Sequence, residues 1–175
     1  MLSVLPSSYT NRLFASIPEN YYLIALIGLF VFTFVFITQV GIKAGVKLGL
    51  GLFLAEYVFL LLCSTVFFRS GVSDNVNFVP FKTYQEIQNG NNFLLSQSIM
   101  NVLVFVPIGL LLRVIQNKWY VALSVGFLIS LCVEMLQYLL AKGYCEIDDV
   151  IHNTLGCLLG IGIYMLGRRC YLMLR

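Results

Sequence analysis

Glu134 and Gln137 lie three residues apart inside a stretch otherwise apolar enough to cross a bilayer, and Asp148, Asp149, His152 and Asn153 open the next such stretch. A carboxylate at membrane depth costs at least ~2.5 kcal/mol on insertion scales, so it persists only with a polar partner or a function. Glu134, with Gln137 on the same helix face, could transfer a proton or bind a cationic or hydroxyl-rich head group. The alternative is an interhelical hydrogen bond, to Asn101 or Asn153, that holds helices together. Asp149 and Asn153 stand at i,i+4 and share a face, which favours a site role for both. Asp148 and Asp149 could hold a divalent cation brought by a lipid-linked pyrophosphate. Asp148 could instead cap its own helix, worth about 0.3–1 kcal/mol. His152 is the only histidine; without a second His or a Cys at ligand spacing, hydrogen-bonded packing is expected over zinc ligation. Lys142 could hold an anionic group beside this cluster or snorkel to the interface. No serine or cysteine sits in a nucleophile motif, and no metal or cofactor is expected.

Membrane helices must position these groups. Hydrophobic residues make up 59% of the chain and charged residues 11%, with a mean hydropathy of +0.89. Soluble domains run at about 45–50% and about 25%. The 175 residues suit one domain, 1–175, and the net charge of +3 is spread along the chain, so no nucleic-acid partner is expected. The five cysteines show no ligand or pairing spacing. The first 18 residues lack the apolar core of a removable signal peptide.

Crossing the hydrocarbon takes roughly 20 mostly apolar residues. Five segments qualify: residues 21–41, 48–68, 93–112, 119–141 and 149–166. Glu56 falls inside the second, with no partner apparent in the sequence. The bias of Lys and Arg toward the cytoplasmic side orients the spans. With the N-terminus outside, Lys43, Lys47, Arg113, Lys118, Arg168, Arg169 and Arg175 face inward, against Arg12, Arg69, Lys82 and Lys142 outward. An N-out, C-in protein of the plasma membrane is expected.

The outer loop 69–92 should be extended near Pro80. A capping box from Thr83 to Glu86 should then start a short amphipathic helix on the membrane surface, ended by Asn89-Gly90. Asn101 should lie roughly 12 Å below the outer end of its span and Glu134 roughly 10 Å below its own, at 1.5 Å per residue. Polar groups from three spans thus agree in depth. Gly156 and Gly160 form a small-xxx-small pair that admits a neighbouring helix. Pro107 with Gly109 points to a kink below Asn101.

The string Asn77-Phe-Val-Pro-Phe81, Asn101-xxx-Phe105-x-Pro107-x-Gly109, Glu134-xx-Gln137 and Asp148-Asp149-xxx-Asn153-xx-Gly156 resembles the VanZ-like membrane protein family in order and spacing. Tyr57 and Thr65 before Arg69 match that family's preceding helix. The resemblance runs from Tyr57 to Gly160. Where the family commonly has Arg, this chain has Lys142, which keeps the charge and loses bidentate geometry. Glu56 is outside the pattern. The resemblance implies a bacterial membrane protein of a family whose founding member is associated with resistance to teicoplanin-type glycopeptides.

The expected fold is an all-α bundle of about five transmembrane helices with an outer amphipathic or re-entrant segment. Three functions fit this reading. In the leading one, an outer-leaflet pocket lined by Asn77, Asn101, Glu134, Gln137, Lys142, Asp148, Asp149 and Asn153 binds an envelope amphiphile or lipid-linked precursor and lowers susceptibility to teicoplanin-type glycopeptides. Besides the lipid bilayer, a lipid-linked precursor or a lipophilic glycopeptide is the partner expected. In the second, an enzyme modifies a lipid or cell-wall intermediate with Glu134 or Asp149 as acid/base. In the third, the polar cluster only joins helices.

Overall fold

Inside hydrocarbon every backbone N–H and C=O must be bonded within the chain, so apolar runs of this length become helices. The computed structural model describes residues 45–67, 76–77, 79–142 and 145–175, with isolated helical positions between 28 and 39. The expected span 21–41 and Arg69 fall largely or wholly outside the described residues. Helix α1 (Val46–Leu62) starts after Gly45, whose φ of 94° suits glycine, and passes into a π-helical turn over Cys63–Phe67. A short strand β1 (Val76–Asn77) precedes helix α2 (Lys82–Gln88). Helices α3 (Asn92–Ile115) and α4 (Trp119–Leu139) follow, then strand β2 (Cys145–Glu146) and helix α5 (Ile147–Met173).

Among the described residues four helical stretches are long and apolar enough to cross a membrane: Val46–Val66, Asn92–Ile115, Trp119–Leu139 and Ile147–Met173. The fold is that of an all-α, multi-pass membrane protein. The last helix runs past Arg168 and Arg169 to Met173, beyond the expected end at 166. Hydropathy marks where hydrocarbon stops, whereas helical hydrogen bonding can continue into water. Pro107 sits inside α3, which stays one helix throughout.

The chain forms two compact units. One comprises Met1–Asp74 with Leu136–Tyr144, and the other Asn75–Met135 with Cys145–Arg175. In the second, α3 and α5 pack with their backbones nearly touching. A methyl group on Gly156 would strike the Val102 carbonyl oxygen, and one on Gly160 the carbonyl oxygen of Val106, one turn further along α3. Gly109 answers from α3, where a methyl would strike the backbone of Cys157. Hydrocarbon offers no hydrophobic drive between helices, so van der Waals packing of this kind holds them. Phe105, Ile108 and Leu112 of α3, Ala122 and Val133 of α4, and Cys157 and Ile161 of α5 are buried in this unit.

β1 and β2 pair in parallel, with Val76 opposite Cys145 and Asn77 opposite Glu146. The loop before α3 and the loop before α5 therefore meet on one side of the membrane. At the other ends of α3 and α5, the Arg113 guanidinium stands 5.4 Å from the Tyr164 ring centroid. The nearby side chains of Trp119 and Tyr120 fit the aromatic belt of a membrane interface.

Candidate functional site

Asp148 is 0% exposed and spends both carboxylate oxygens on α2. Oδ1 accepts the Phe81 N–H at 2.6 Å and Oδ2 the Thr83 N–H at 2.8 Å. The first N–H groups of a helix have no intrahelical acceptor, and here a residue of another helix supplies one. This overturns two sequence-based expectations. The Thr83–Glu86 capping box does not form, since Phe81 occupies the cap position at φ 64° without any side-chain cap bond. Asp148 caps α2 rather than its own helix, whose cap residue is Glu146. A charged acceptor outcompetes a neutral hydroxyl for backbone N–H groups, and it also holds Phe81 in a left-handed conformation that costs an L-residue roughly 1–2 kcal/mol. The end of α2 falls where expected, with Gly90 at φ 96°.

Glu134 is 3% exposed, and its Oε2 accepts the Glu146 N–H at 3.2 Å. This places a carboxylate beneath the start of α5, where the helix dipole favours negative charge. Burial first, and then the charges of Glu134, Asp149 and Glu146, push Cys145 above the usual thiol range. Asp149 is half-buried in the first turn of α5.

Asn153 is buried and donates from Nδ2 to Ser130 Oγ at 3.0 Å, tying α5 to α4. Its partner is therefore neither Glu134 nor Asn101. Asn101 is half-buried, with no side-chain hydrogen bond among the described residues. Asn77 Oδ1 accepts the Val79 N–H at 3.3 Å, a local turn contact. His152, 3% exposed, meets the Tyr84 hydroxyl through Nε2 at 3.1 Å, and the Phe81, Tyr84 and His152 rings lie side by side. The expected packing role of His152 is what the structure contains.

Gln137 and Lys142 belong to the first unit. Gln137 does not orient Glu134; its Nε2 donates to the Thr65 carbonyl at 3.2 Å, an acceptor at the π-helical end of α1. Lys142 is half-buried, and its N–H reaches back to the Gln137 carbonyl at 2.9 Å while Ala141 N–H takes that of Tyr138 at 3.1 Å. With Ala141 at φ 50° these bonds close α4 as a Schellman motif without glycine. Glu56 is 7% exposed in α1, and neither carboxylate oxygen has a hydrogen-bond partner among the described residues.

Sequence reasoning passed over Ser130, Tyr84 and Cys145. Ser130 was legible in principle: Ala122, Gly126, Ser130, Glu134 and Gln137 form the buried stripe of α4, at the spacing of one helix face. Tyr84 gave no signal, because its partner is 68 residues away.

Among the described residues, four apolar spans that carry buried carboxylates and amides define a polytopic membrane protein. The VanZ/LLP1 family model matches residues 21–168, and the chain belongs to that family. Protein VanZ of Enterococcus faecium is 37% identical over 81 residues, which cover 42% of this chain and 47% of that protein. The chain thus matches about half the length of this relative. No solved structure matches the chain.

Proposed function

We propose that the chain is a bacterial plasma-membrane protein that binds an envelope amphiphile or lipid-linked precursor and lowers susceptibility to teicoplanin-type glycopeptides. The face carrying α2 and β2 is outside in this reading, in keeping with the bias of Lys and Arg to the other side. The observation that carries the reading is the buried Glu134 carboxylate at the start of α5, where it accepts the Glu146 N–H at 3.2 Å and Asp149 lies in the first turn. Carboxylates accept hydrogen bonds and attract cations, so such a centre suits ammonium groups and sugar hydroxyls. Asn101, in the same unit, is a further candidate binding group. Family membership supports the link to resistance.

A second reading, in which the polar residues only join elements, is favoured at particular positions. Asp148 caps α2 and Asn153 bonds Ser130, so these two have structural work that needs no ligand.

The test is teicoplanin susceptibility in a Gram-positive host carrying empty vector, wild type, Glu134→Gln or Asp149→Asn at matched abundance. Protection by wild type and its loss in both variants is the expected result. Protection that survives in both variants removes the carboxylates from the mechanism, and no protection by wild type removes the resistance reading.

A further inference from the structure

A groove of about 310 Å³ runs between α2, α3 and α5, within the size range of ligand sites. Its wall comprises Tyr84 and Ile87 of α2, Leu95, Ile99 and Leu103 of α3, and Leu155 of α5. Of its few polar groups, His152 Nδ1 is buried without a hydrogen-bond partner among the described residues, and the others are occupied. The Ser98 hydroxyl turns back to the Leu94 carbonyl at 2.9 Å, and the Tyr84 hydroxyl and His152 Nε2 meet each other at 3.1 Å. Apart from that buried nitrogen the wall is apolar, so the occupant it suits is a hydrocarbon chain.

Leu95, Ile99, Leu103 and Leu155 are exposed on membrane-spanning helices, which makes the groove continuous with the hydrocarbon around the protein. From Leu95 to Leu103 the groove covers nine residues of α3, about 12 Å along the axis. One leaflet is half of the roughly 30 Å hydrocarbon core. Leu95 lies close to the start of α3 at Asn92, so the groove occupies the leaflet on the α2 side. α2 covers it there, fastened by Asp148.

We propose that this groove is a binding site for one acyl chain of a phospholipid from the leaflet on the α2 side. Lipid tails are as apolar as leucine, so preference for the groove comes from packing against α2 and the α3–α5 seam. The site stands apart from the carboxylate centre and does not depend on the resistance reading.

The test reconstitutes the full chain in vesicles containing phosphatidylglycerol with a mid-chain diazirine, followed by photolysis and mapping of the labelled residues. Label on the groove residues of α3 and α5 should exceed that on exposed Leu128 and Leu131 of α4 by roughly tenfold, and should saturate against unlabelled phosphatidylglycerol. Ile99→Trp and Leu103→Trp each place an indole in the groove and should abolish this excess, whereas Leu128→Trp should leave it. Leu103 is the more exposed of the two, so its variant carries the test if Ile99→Trp melts early. Even labelling of all lipid-facing helices overturns the proposal, as does label that persists in a folded tryptophan variant. Displacement by an isoprenyl phosphate but not by phosphatidylglycerol overturns the choice of occupant. Lost label with unchanged susceptibility leaves the carboxylate centre standing.

Discussion

Replacing Asp148 should release α2 from the rest of its unit. The wild-type carboxylate is 0% exposed and satisfies two backbone N–H groups, at 2.6 and 2.8 Å. A buried donor left without a partner costs about 1–3 kcal/mol, so Asp148→Ala, which strands both, should cost about 2–6 kcal/mol. Asp148→Asn keeps one acceptor and turns an NH₂ toward the other amide, so about 1–3 kcal/mol is expected. The loss is local, and α2 can undock before the long helices separate, so amide hydrogen exchange is the suitable assay. In detergent, peptides covering residues 79–90 should exchange roughly 5- to 150-fold faster in Asp148→Asn. Thr83→Ala and Glu86→Ala are the controls. Thr83 takes part through its backbone N–H, which alanine retains, so Thr83→Ala should cost only about 1 kcal/mol for its truncated buried side chain, and Glu86→Ala should stay within about 0.5 kcal/mol of wild type. Unchanged exchange of the Thr83 amide in Asp148→Ala, or a larger effect from Thr83→Ala, would refute capping by a distant residue.

The α3–α5 seam should tolerate no added carbon. Gly160→Ala drives a methyl into the Val106 carbonyl and should cost about 1–3 kcal/mol of overpacking, read as a lower melting temperature in detergent. Gly162→Ala, with open space around it, should be neutral or slightly stabilising by up to about 1 kcal/mol. Cys145 should alkylate slowly at neutral pH, because burial and three carboxylates push its thiol up and thiolate is the reactive form. In a chain stripped of the other four cysteines, Glu134→Gln removes one of those charges, so the maleimide pH profile should move to lower pH and the neutral rate should rise.

The long helices were legible because hydrocarbon thickness fixes how many apolar residues a span needs, and Gly156 with Gly160 marked the close contact they make. Their ends were less so: Arg168 and Arg169 suggested a stop, and α5 passes both. The short helix α2 was visible through Asn89-Gly90, but its beginning was misread. Thr83 and Glu86 carry the local pattern of a cap, while the group that performs the task is 65 residues further on. Among the candidate site residues, Glu134 and Asp149 both act on the Cys145 thiol. Gln137 was assigned to Glu134 from i,i+3 spacing alone, and spacing along one helix carries no information about a carbonyl on another.

The bonds from Asp148 to Phe81 and Thr83, and the pairing of β1 with β2, also bear on the order in which the protein can be made. Residues 76–88 leave the ribosome well before Cys145, Glu146 and Asp148. Through the insertion of α3 and α4, α2 has neither its acceptor nor a strand to fix the loop beside it. Its first N–H groups stay with water, and the flank of α3 that it later covers faces lipid. Only when the start of α5 arrives can the loop close. A helix made after α3 and α4 therefore completes the loop that precedes them, so a chain cut short after α4 should insert without ever docking α2.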